Sequence, residues 1–398
     1  MERNELIFLN ILKTALAGQR WDPLHSLSDD DWNAIFHLAR VHKVLPLVFE
    51  ATHHLPQTNR VRGSVRQQAL GQTLKTCDFL ALNRHLREIG LRPIVVKGII
   101  CRSLYPNPDC RTSADEDLLI RPEQLELYCA SLREFGMTTA AEQTDDYEIP
   151  WRKAGSLLHI ELHKSLFPTD SAAYGDLNRF FGNVFDRAVE ADIQGEPVLT
   201  MNPTDHLFYL ICHGFKHFLH SGFGIRQIAD MVMLANRHDH QIHWDQIAEN
   251  CRLIRAEKFA AAVFRIGKKH LGLEKFPEIW LPVQVDETSL LADVLRAGIY
   301  GSAEESRLHS SNITLGAVAD QKQGKRSGKG IVKSLFPSAK SLRSRYPYLR
   351  KYPFLLPAAW ASRMASYGAK KALGGNAAES LKIGAERLEL LRQYDILD

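Results

Sequence analysis

The stretch from residue 91 to residue 120 restricts the fold more than any other part of the chain. Leu91–Lys97 is a short run rich in β-branched residues, which predicts a strand, and Gly98–Tyr105 then suits a short helix. Turn-forming residues fill Pro106–Ala114, and Asp115–Ile120 predicts a second strand. A strand, a helix and another strand in such close succession require a sheet with helices packed on it.

The segments on either side of this stretch have helical patterns. Before residue 91, apolar residues recur at spacings of three and four, and residues 29–31 form an acidic helix start. Further helices are predicted for His206–His213, Ile225–Ala235 and Ala377–Tyr394. The predicted fold class is therefore α+β, with a small mixed-sheet domain flanked by N-terminal and C-terminal helical regions.

The length of the chain, 398 residues, allows more than one compact unit. We expect an N-terminal helical cap at 1–90, the mixed-sheet domain at 91–199, a helical domain at 200–315, and a basic linker with C-terminal helices at 316–398. The stretch Gly316–Gly330 is rich in Gly, Ser and Lys, which predicts a flexible link.

The composition is that of a globular protein, with 45% hydrophobic and 24% charged residues. The N-terminus lacks the pattern of a secretory signal, and no apolar run approaches the roughly 20 residues of a membrane span, so we expect a cytoplasmic protein. The six cysteines form no CxxC pair, which argues against a disulfide framework and against a thiolate zinc site.

Charge is distributed unevenly along the chain. No Asp or Glu occurs from Gln321 to Ala378, whereas thirteen Lys and Arg residues lie there; subtracting them from the net charge of +4 leaves −9 for the rest. Tyrosines interleave with basic residues over 340–351, where we expect an anionic partner such as a nucleic acid or an acidic lipid surface. A solvated face that balances the acidic remainder is the alternative.

Asp115 and Asp117 stand on one face of the second predicted strand. Because successive side chains of a strand alternate, Glu116 and Leu118 point to the opposite face. Two carboxylates this close repel one another unless a cation neutralises them, and Mg²⁺ prefers a few hard oxygen ligands. A D-x-D motif can also simply begin a strand, so the hypothesis of a metal site depends on other residues.

A second set of polar residues follows at His159–His163. Alternation predicts that Ile160 and Leu162 face a core and that His159, Glu161 and His163 face the other way. Glu161 is therefore the candidate for a third metal ligand on a neighbouring strand, and His163 could orient Glu161 or contact the substrate.

Residues suited to phosphate binding lie beside these acids. Lys97–Gly98 ends a strand and begins a helix, where free N–H groups and a glycine allow close approach of a phosphate. Arg111 precedes Asp115 by four residues and could supply a bidentate phosphate contact. Both cations are also compatible with solvated surface charges.

The run from Val96 to Ile120 resembles the uncharacterised bacterial nucleotidyltransferase family of the DNA polymerase β-like superfamily. The likeness rests on Lys97–Gly98, Tyr105–Pro106, Arg111 and the strand Asp115–Ile120. Ile160–His163 resembles the third-carboxylate strand of that family, and the region from His206 to Ile247 resembles its helical continuation. Two features depart from the pattern: Glu116 replaces a commonly apolar residue, and Lys97–Gly98 replaces the Gly-Ser element of the wider superfamily.

The resemblance implies a metal-dependent nucleotidyltransferase that moves an NMP group from an NTP to a hydroxyl acceptor and releases pyrophosphate. The acceptor class stays open between a small molecule, a peptide and a protein. The implied catalytic and metal-binding residues are Asp115, Asp117 and Glu161, with Mg²⁺ or Mn²⁺ as the cofactor. The implied nucleotide-binding residues are Lys97, Gly98 and Arg111, and His163 joins them because it shares the face of Glu161.

Two other functions stay open. One is a catalytically silent or regulatory binding protein on the same fold, and the other is glycosyl or phosphate transfer to a small metabolite or peptide. A silent relative should have lost at least one carboxylate, and all three candidates are present. His213 and His217 have the spacing of a zinc pair but lack the zincin glutamate, so we expect them to line a helix packed against the sheet domain.

Overall fold

The computed structural model describes residues 1–140, 147–220, 222–298, 305–322, 342, 346, 348–362 and 377–398. Helices lie at both ends of the chain and a mixed sheet lies in the middle, which confirms the α+β class. Within these ranges, none of the helices combines the length and the apolar character needed to cross a membrane.

The N-terminal region is helical, as its apolar spacing predicts. Ser28 begins the second helix with a reciprocal capping box, in which its hydroxyl accepts the Asp31 N–H and the Asp31 carboxylate accepts the Ser28 N–H. The same helix buries Trp32, Ile35 and Phe36. The helices of this region are α1 (Arg3–Leu16), α2 (Asp29–Val41), α3 (Leu45–Thr52) and α4 (Arg62–Glu88).

The sheet contains seven strands in the order β3-β4-β5-β2-β1-β7-β6. They are β1 (Ile94–Val96), β2 (Glu116–Leu119), β3 (Met137–Thr138), β4 (Glu148–Lys153), β5 (His159–His163), β6 (Val189–Ile193) and β7 (Glu196–Thr200). Helix α5 (Gly98–Ser103) follows β1, and α6 (Leu125–Glu134) follows β2. β2 lies in the centre, antiparallel to β1 and parallel to β5.

The two faces of the sheet contact different cores. Val95, Leu118 and Ile160 belong to a core shared with α4 and α6. Val96 and Leu119 belong to a larger core built by the N-terminal and C-terminal helices. Successive side chains of a strand point to opposite faces. The polar residues that follow Ile160 on β5 and precede Leu118 on β2 therefore lie on the face that meets the large helical core.

The C-terminal part contains α7 (Pro203–His220), α8 (Ile225–His238), α9 (Trp244–Leu253), α10 (Glu257–His270), α11 (Glu287–Ala297), α12 (Glu305–Lys322), α13 (Tyr348–Lys351) and α14 (Ala377–Gln393). The helices predicted near His206, Ile225 and Ala377 are thereby confirmed. The N-terminal and C-terminal helices share one core, to which Phe8 and Tyr394 both belong.

The prediction of a flexible link is wrong for residues 316–322. Helix α12 continues through them to Lys322, and Ala317 and Val318 are buried in the large core. Burial of this apolar pair stabilises a helix that the Gly and Ser content alone would disfavour. The rest of the predicted link lies outside the described residues, as does half of the basic stretch at 340–351.

Candidate active site

Asp117 and Glu161 lie opposite one another on neighbouring strands. β2 and β5 run parallel, with Asp117 paired to Glu161 in register. Ile160 and Leu162 belong to the core on the other face of the sheet. The alternation predicted for both strands is therefore correct, and it places Asp117, Glu161 and His163 together on the face that meets the large helical core.

His163 connects the two carboxylates. Its Nε2 lies 3.0 Å from Asp117 Oδ1 and 3.5 Å from Glu161 Oε2. The Asp117 side chain is 2% exposed, whereas the Glu161 side chain is 31% exposed. Asp117 therefore forms the buried end of this cluster, and Glu161 lies where solvent can enter.

Lys97 reaches the same carboxylate from the end of β1. Its Nζ lies 3.0 Å from Asp117 Oδ2 and 3.2 Å from Nε2 of His213 on α7. The backbone of Lys97 has φ 56° and ψ −133°, a conformation that residues with a side chain rarely adopt. Strain of this kind concentrates at functional sites, and here it coincides with an ammonium group placed on a buried acid.

The groups of this cluster shift one another's pKa. Burial alone would raise the pKa of Asp117, but the charge of Lys97 and the hydrogen bond with His163 hold it well below its usual range. Burial alone would lower the pKa of His163, but hydrogen bonds with Asp117 and Glu161 raise it to about 9. At neutral pH Asp117 is therefore ionised and lies between two cations of the chain itself.

Asp117, Glu161 and His163 are placed so that they could hold a metal ion. Their ligand atoms all lie within 4.8 Å of one another. Asp117 Oδ2 is buried and accepts no hydrogen bond from the described residues, although Lys97 lies beside it. Carboxylates suit Mg²⁺, whereas an imidazole ligand suits Mn²⁺ or zinc better. The donor set fits a divalent cation that takes over the role of the Lys97 charge and the His163 proton.

Asp115 lies at the edge of this cluster and not at its centre. It immediately precedes β2, is half-buried, and is not part of the group whose ligand atoms lie within 4.8 Å. Burial lowers the pKa of His159, and the carboxylate of Asp115 is among the charges that oppose this shift. The charge of Asp115 therefore acts on His159, the first residue of β5.

Glu116 occupies the position at Gly98 that the sequence assigned to a phosphate. Its Oε2 accepts the N–H of Ile99 at 2.6 Å, and Arg102 Nη2 lies 2.9 Å from its Oε1. A Cβ on Gly98 would lie 1.9 Å from Glu116 Oε2. The glycine therefore makes room for a carboxylate of the chain itself, and a phosphate would have to displace Glu116 to reach the N–H of Ile99.

Arg111 is held away from the predicted triphosphate contact. Its guanidinium is buried and forms a two-point ion pair with Asp230 of α8, with Nε 3.0 Å from Oδ1. The hydroxyl of Tyr105 donates to the same carboxylate at 2.7 Å. Arg111 therefore attaches the loop before β2 to the helical region, and a phosphate would have to compete with Asp230 for it.

His213 and His217 of α7 border the cluster, in agreement with the expected helix packed against the sheet. Their Nε2 atoms are 3.2 Å apart. Burial, together with nearby lysine charges, holds the pKa of both rings well below 6.5. Both histidines are therefore neutral, and neither belongs to a metal-binding group found in the described part of the chain.

Lys216 is a cation near the cluster that the sequence analysis did not predict, and the charges of Asp117 and Glu161 act on it. It is half-buried on α7, three residues after His213. Tyr209, His213 and Lys216 are spaced by four and three residues and therefore lie along one helix face. That spacing is the signal that could have identified it, because His213 was already predicted to face the sheet domain.

The family model described as uncharacterised nucleotidyltransferase matches residues 28–272. This match covers more than half of the chain and contains every residue of the cluster, so the protein belongs to that family. A search of curated proteins and a search of solved structures each gave no match. Membership of this family supports nucleotidyl transfer with a nucleoside triphosphate as substrate.

Proposed function

We propose that the protein is a metal-dependent enzyme that transfers an NMP group from an NTP to a hydroxyl acceptor and releases pyrophosphate. The observation that carries this proposal is the pair of Asp117 and Glu161, opposite one another on parallel strands and joined by His163. An acid pair with one buried and one accessible member, on a chain of a nucleotidyltransferase family, suits this reaction.

Asp117, Glu161 and His163 would hold the cation nearest the buried end, and Asp115 would add a ligand from the edge. When bound, a divalent cation would supply positive charge that lowers the pKa of an acceptor hydroxyl and stabilises the departing pyrophosphate. The two-metal arrangement of the DNA polymerase β-like superfamily is part of this proposal.

The residues of the chain have separate tasks in this scheme. The acceptor oxygen forms a bond to the α-phosphorus, and the bond from that phosphorus to the β-phosphate oxygen breaks, so that pyrophosphate leaves in line. Glu161, the accessible carboxylate, would take the acceptor proton. Lys97 would exchange its contact with Asp117 for one with a phosphate. His163 would give up its proton and bind the cation beside Asp117 and Glu161.

One observation favours the catalytically silent alternative. Lys97 and His163 neutralise Asp117 without any added cation. A regulatory protein that binds a nucleotide on this fold would need only such an arrangement, because its acids would never have to bind metal. The two functions differ in whether pyrophosphate is released.

The test is incubation of the protein with each of four α-labelled NTPs and Mg²⁺ or Mn²⁺. Pyrophosphate release and transfer of label to candidate acceptors and to the protein itself are measured, with Asp117→Asn as the inactive reference. We expect metal-dependent pyrophosphate release that Asp117→Asn abolishes. NTP binding with no release under any condition would reject catalysis and leave the binding protein.

A further inference from the structure

Lys216 stands on the helix that covers the acid cluster. Tyr209 and His213 precede it on the same face of α7, and the His213 Nε2 contacts Lys97, which in turn contacts Asp117. The side chain of Lys216 is half-buried, so its position is restricted by its surroundings. Lys216 and Lys97 therefore approach the cluster from the helix and from the sheet, respectively.

Electrostatic interactions show which groups Lys216 faces. Burial lowers its pKa, as does the positive charge of Lys97, whereas the carboxylates of Glu148, Asp117 and Glu161 oppose this shift. Glu148 belongs to β4 and the other two belong to β2 and β5. The geometry agrees, because the Lys216 Nζ lies 5.9 Å from the centroid of the Tyr147 ring, and that centroid lies 5.9 Å from the centroid of the His163 ring.

The ammonium group of Lys216 is not committed to any of these acids. Its Nζ lies 5.9 Å from the centroid of the Tyr147 ring and 5.9 Å from the centroid of the Tyr174 ring. Across the described ranges, no carboxylate comes within ion-pair distance of it, in contrast to Lys97 with Asp117 and Arg111 with Asp230. A partly buried cation near two aromatic rings has lost hydration and retains its capacity to donate hydrogen bonds.

We propose that Lys216 binds the polyphosphate of the nucleotide from the helical side, opposite Lys97, and so has the role that the sequence assigned to Arg111. This inference rests on the proposed function. A triphosphate near Asp117 and Glu161 adds several negative charges, which requires cations beyond those that the acids already occupy. An ammonium group with three donors on a flexible stem can contact phosphate oxygens as a point charge.

Polyphosphate is favoured over the nucleobase or an uncharged acceptor for a physical reason. The base carries no net charge, so its binding would depend on the tyrosine rings and not on the ammonium group. A phosphate, in contrast, gains both charge attraction and hydrogen bonds from Lys216 in a partly desolvated site. Loss of the Lys216 charge should therefore weaken every ligand that contains the polyphosphate and leave the nucleoside unaffected.

The test compares the full-length protein with Lys216→Gln and Lys216→Arg. Binding of the four NTPs, of inorganic tripolyphosphate and of the four nucleosides is measured by calorimetry, once with EDTA and once with Ca²⁺. We expect Lys216→Gln to weaken NTP and tripolyphosphate binding about tenfold or more, with nucleoside binding unchanged. A tenfold loss of affinity corresponds to about 1.4 kcal/mol. Lys216→Arg keeps the positive charge, so its affinity should stay within about threefold of the parent.

The matched control is Lys258→Gln. Lys258 is also a half-buried helical lysine, but it lies on α10 and pairs with Asp395 at 2.6 Å. Its loss should leave polyphosphate binding unchanged, which separates a local contact from a general loss of positive charge.

Three results would overturn the inference. Tripolyphosphate binding that is equal in the parent and Lys216→Gln rejects it and leaves the proposed function intact. Weakening by Lys258→Gln to the same extent assigns the effect to overall charge. If the parent binds neither NTP nor tripolyphosphate, the inference and the proposed function fail together.

Discussion

Glu116 and Asp117 are adjacent acids of one short strand, and their surroundings differ in almost every respect. Glu116 is fully buried on the α4 and α5 side, where Ile99 and Arg102 donate to its two oxygens. Asp117 is also buried, but its cluster opens to solvent through Glu161. Of these two equally buried carboxylates, Glu116 therefore belongs to a closed structural network, whereas Asp117 belongs to a candidate site that is open to solvent.

The network around Glu116 is closed because both oxygens of the Glu116 carboxylate already have donors of the chain itself. Arg102 also donates to the Gln72 side-chain oxygen at 3.0 Å, and Ser113 donates to that same oxygen through its N–H at 3.2 Å. Lys75 donates to the Ser113 carbonyl at 2.7 Å. These bonds attach the loop before β2 to α4. Glu116, which replaces a commonly apolar residue of the family pattern, therefore helps to hold β2 in place.

The cluster around Asp117 is different because its contacts are exchangeable. Lys97 has a long flexible side chain, and His163 contacts two acids with one nitrogen. A divalent cation or a phosphate can compete with these contacts without unfolding the sheet. The two acids are therefore distinguished less by burial than by the donors to their oxygens and by access to solvent.

The largest expected effect comes from Asp117→Asn. The substitution keeps the shape of the side chain and removes the charge that Lys97 and a bound cation would share. We expect nucleotidyl transfer to fall about a thousandfold or more, equivalent to about 4 kcal/mol of transition-state stabilisation. Initial rates of pyrophosphate release measure the fall in nucleotidyl transfer. Urea unfolding should show that the variant is still folded. Retained turnover would contradict the assignment of Asp117.

Glu116→Gln should give the opposite result. It leaves Arg102 without its buried charged partner, and removal of one member of a buried ion pair costs about 3 to 5 kcal/mol of stability. We expect this loss in the free energy of unfolding, measured in urea, while the molecules that remain folded keep turnover within about threefold of the parent. A Glu116→Gln protein of parental stability but without turnover would place Glu116 in the reaction and exchange the roles of the two acids.

The sequence predicts the central part of this arrangement because the governing rules are local. Alternation along a strand assigns Glu116 and Asp117 to opposite faces, and the same rule places Glu161 and His163 on one face. Parallel pairing of β2 with β5 then brings Asp117 beside Glu161. These steps require only the period of a strand and a correct choice of strands.

The sequence fails where partners are distant in the chain. Asp230 lies 119 residues from Arg111, so no local pattern shows that this arginine is already paired. The carboxylate that fills the space at Gly98 lies 17 residues from Ile99, whose N–H it accepts, and a phosphate would suit the same geometry. Lys216 shares a helix face with His213, which the spacing shows, but the meeting of that face with the acids is a matter of tertiary packing, and Lys216 was therefore missed.

Arg111→Met tests whether the buried ion pair of Arg111 with Asp230 is structural, as the pair of Arg102 with Glu116 is. It leaves Asp230 buried without its cation, although the Tyr105 hydroxyl still donates to it. We expect a loss of about 3 kcal/mol in the free energy of unfolding, and NTP affinity of the folded protein within about twofold of the parent. Arg111→Met combined with Asp230→Asn should recover part of the stability, because the unpaired charge is gone. A fall in NTP affinity greater than the fall in stability would return Arg111 to the nucleotide site.

The smallest expected effect concerns Lys75, the lysine of the network around Glu116. Burial lowers its pKa to about 8, although the carboxylates of Glu116 and Asp115 oppose the shift, whereas a lysine in the unfolded chain titrates near 10.4. Between about pH 8 and 10.4 the unfolded state binds a proton that the folded state does not, so the folded protein gains stability as the pH rises through this range.

Lys75→Met removes this proton linkage. The free energy of unfolding of the parent, compared with that of Lys75→Met, should therefore rise by about 2 kcal/mol from pH 8 to pH 10, at about 1.4 kcal/mol for each pKa unit. Urea unfolding at half-unit steps measures the difference, and Lys13→Met, which removes an exposed lysine of α1, controls for a change in total charge. Parallel curves for the parent and Lys75→Met would mean that water reaches the Lys75 ammonium group. The side of the sheet that holds Glu116 would then be open as well, and the contrast with Asp117 would depend on hydrogen-bond partners alone.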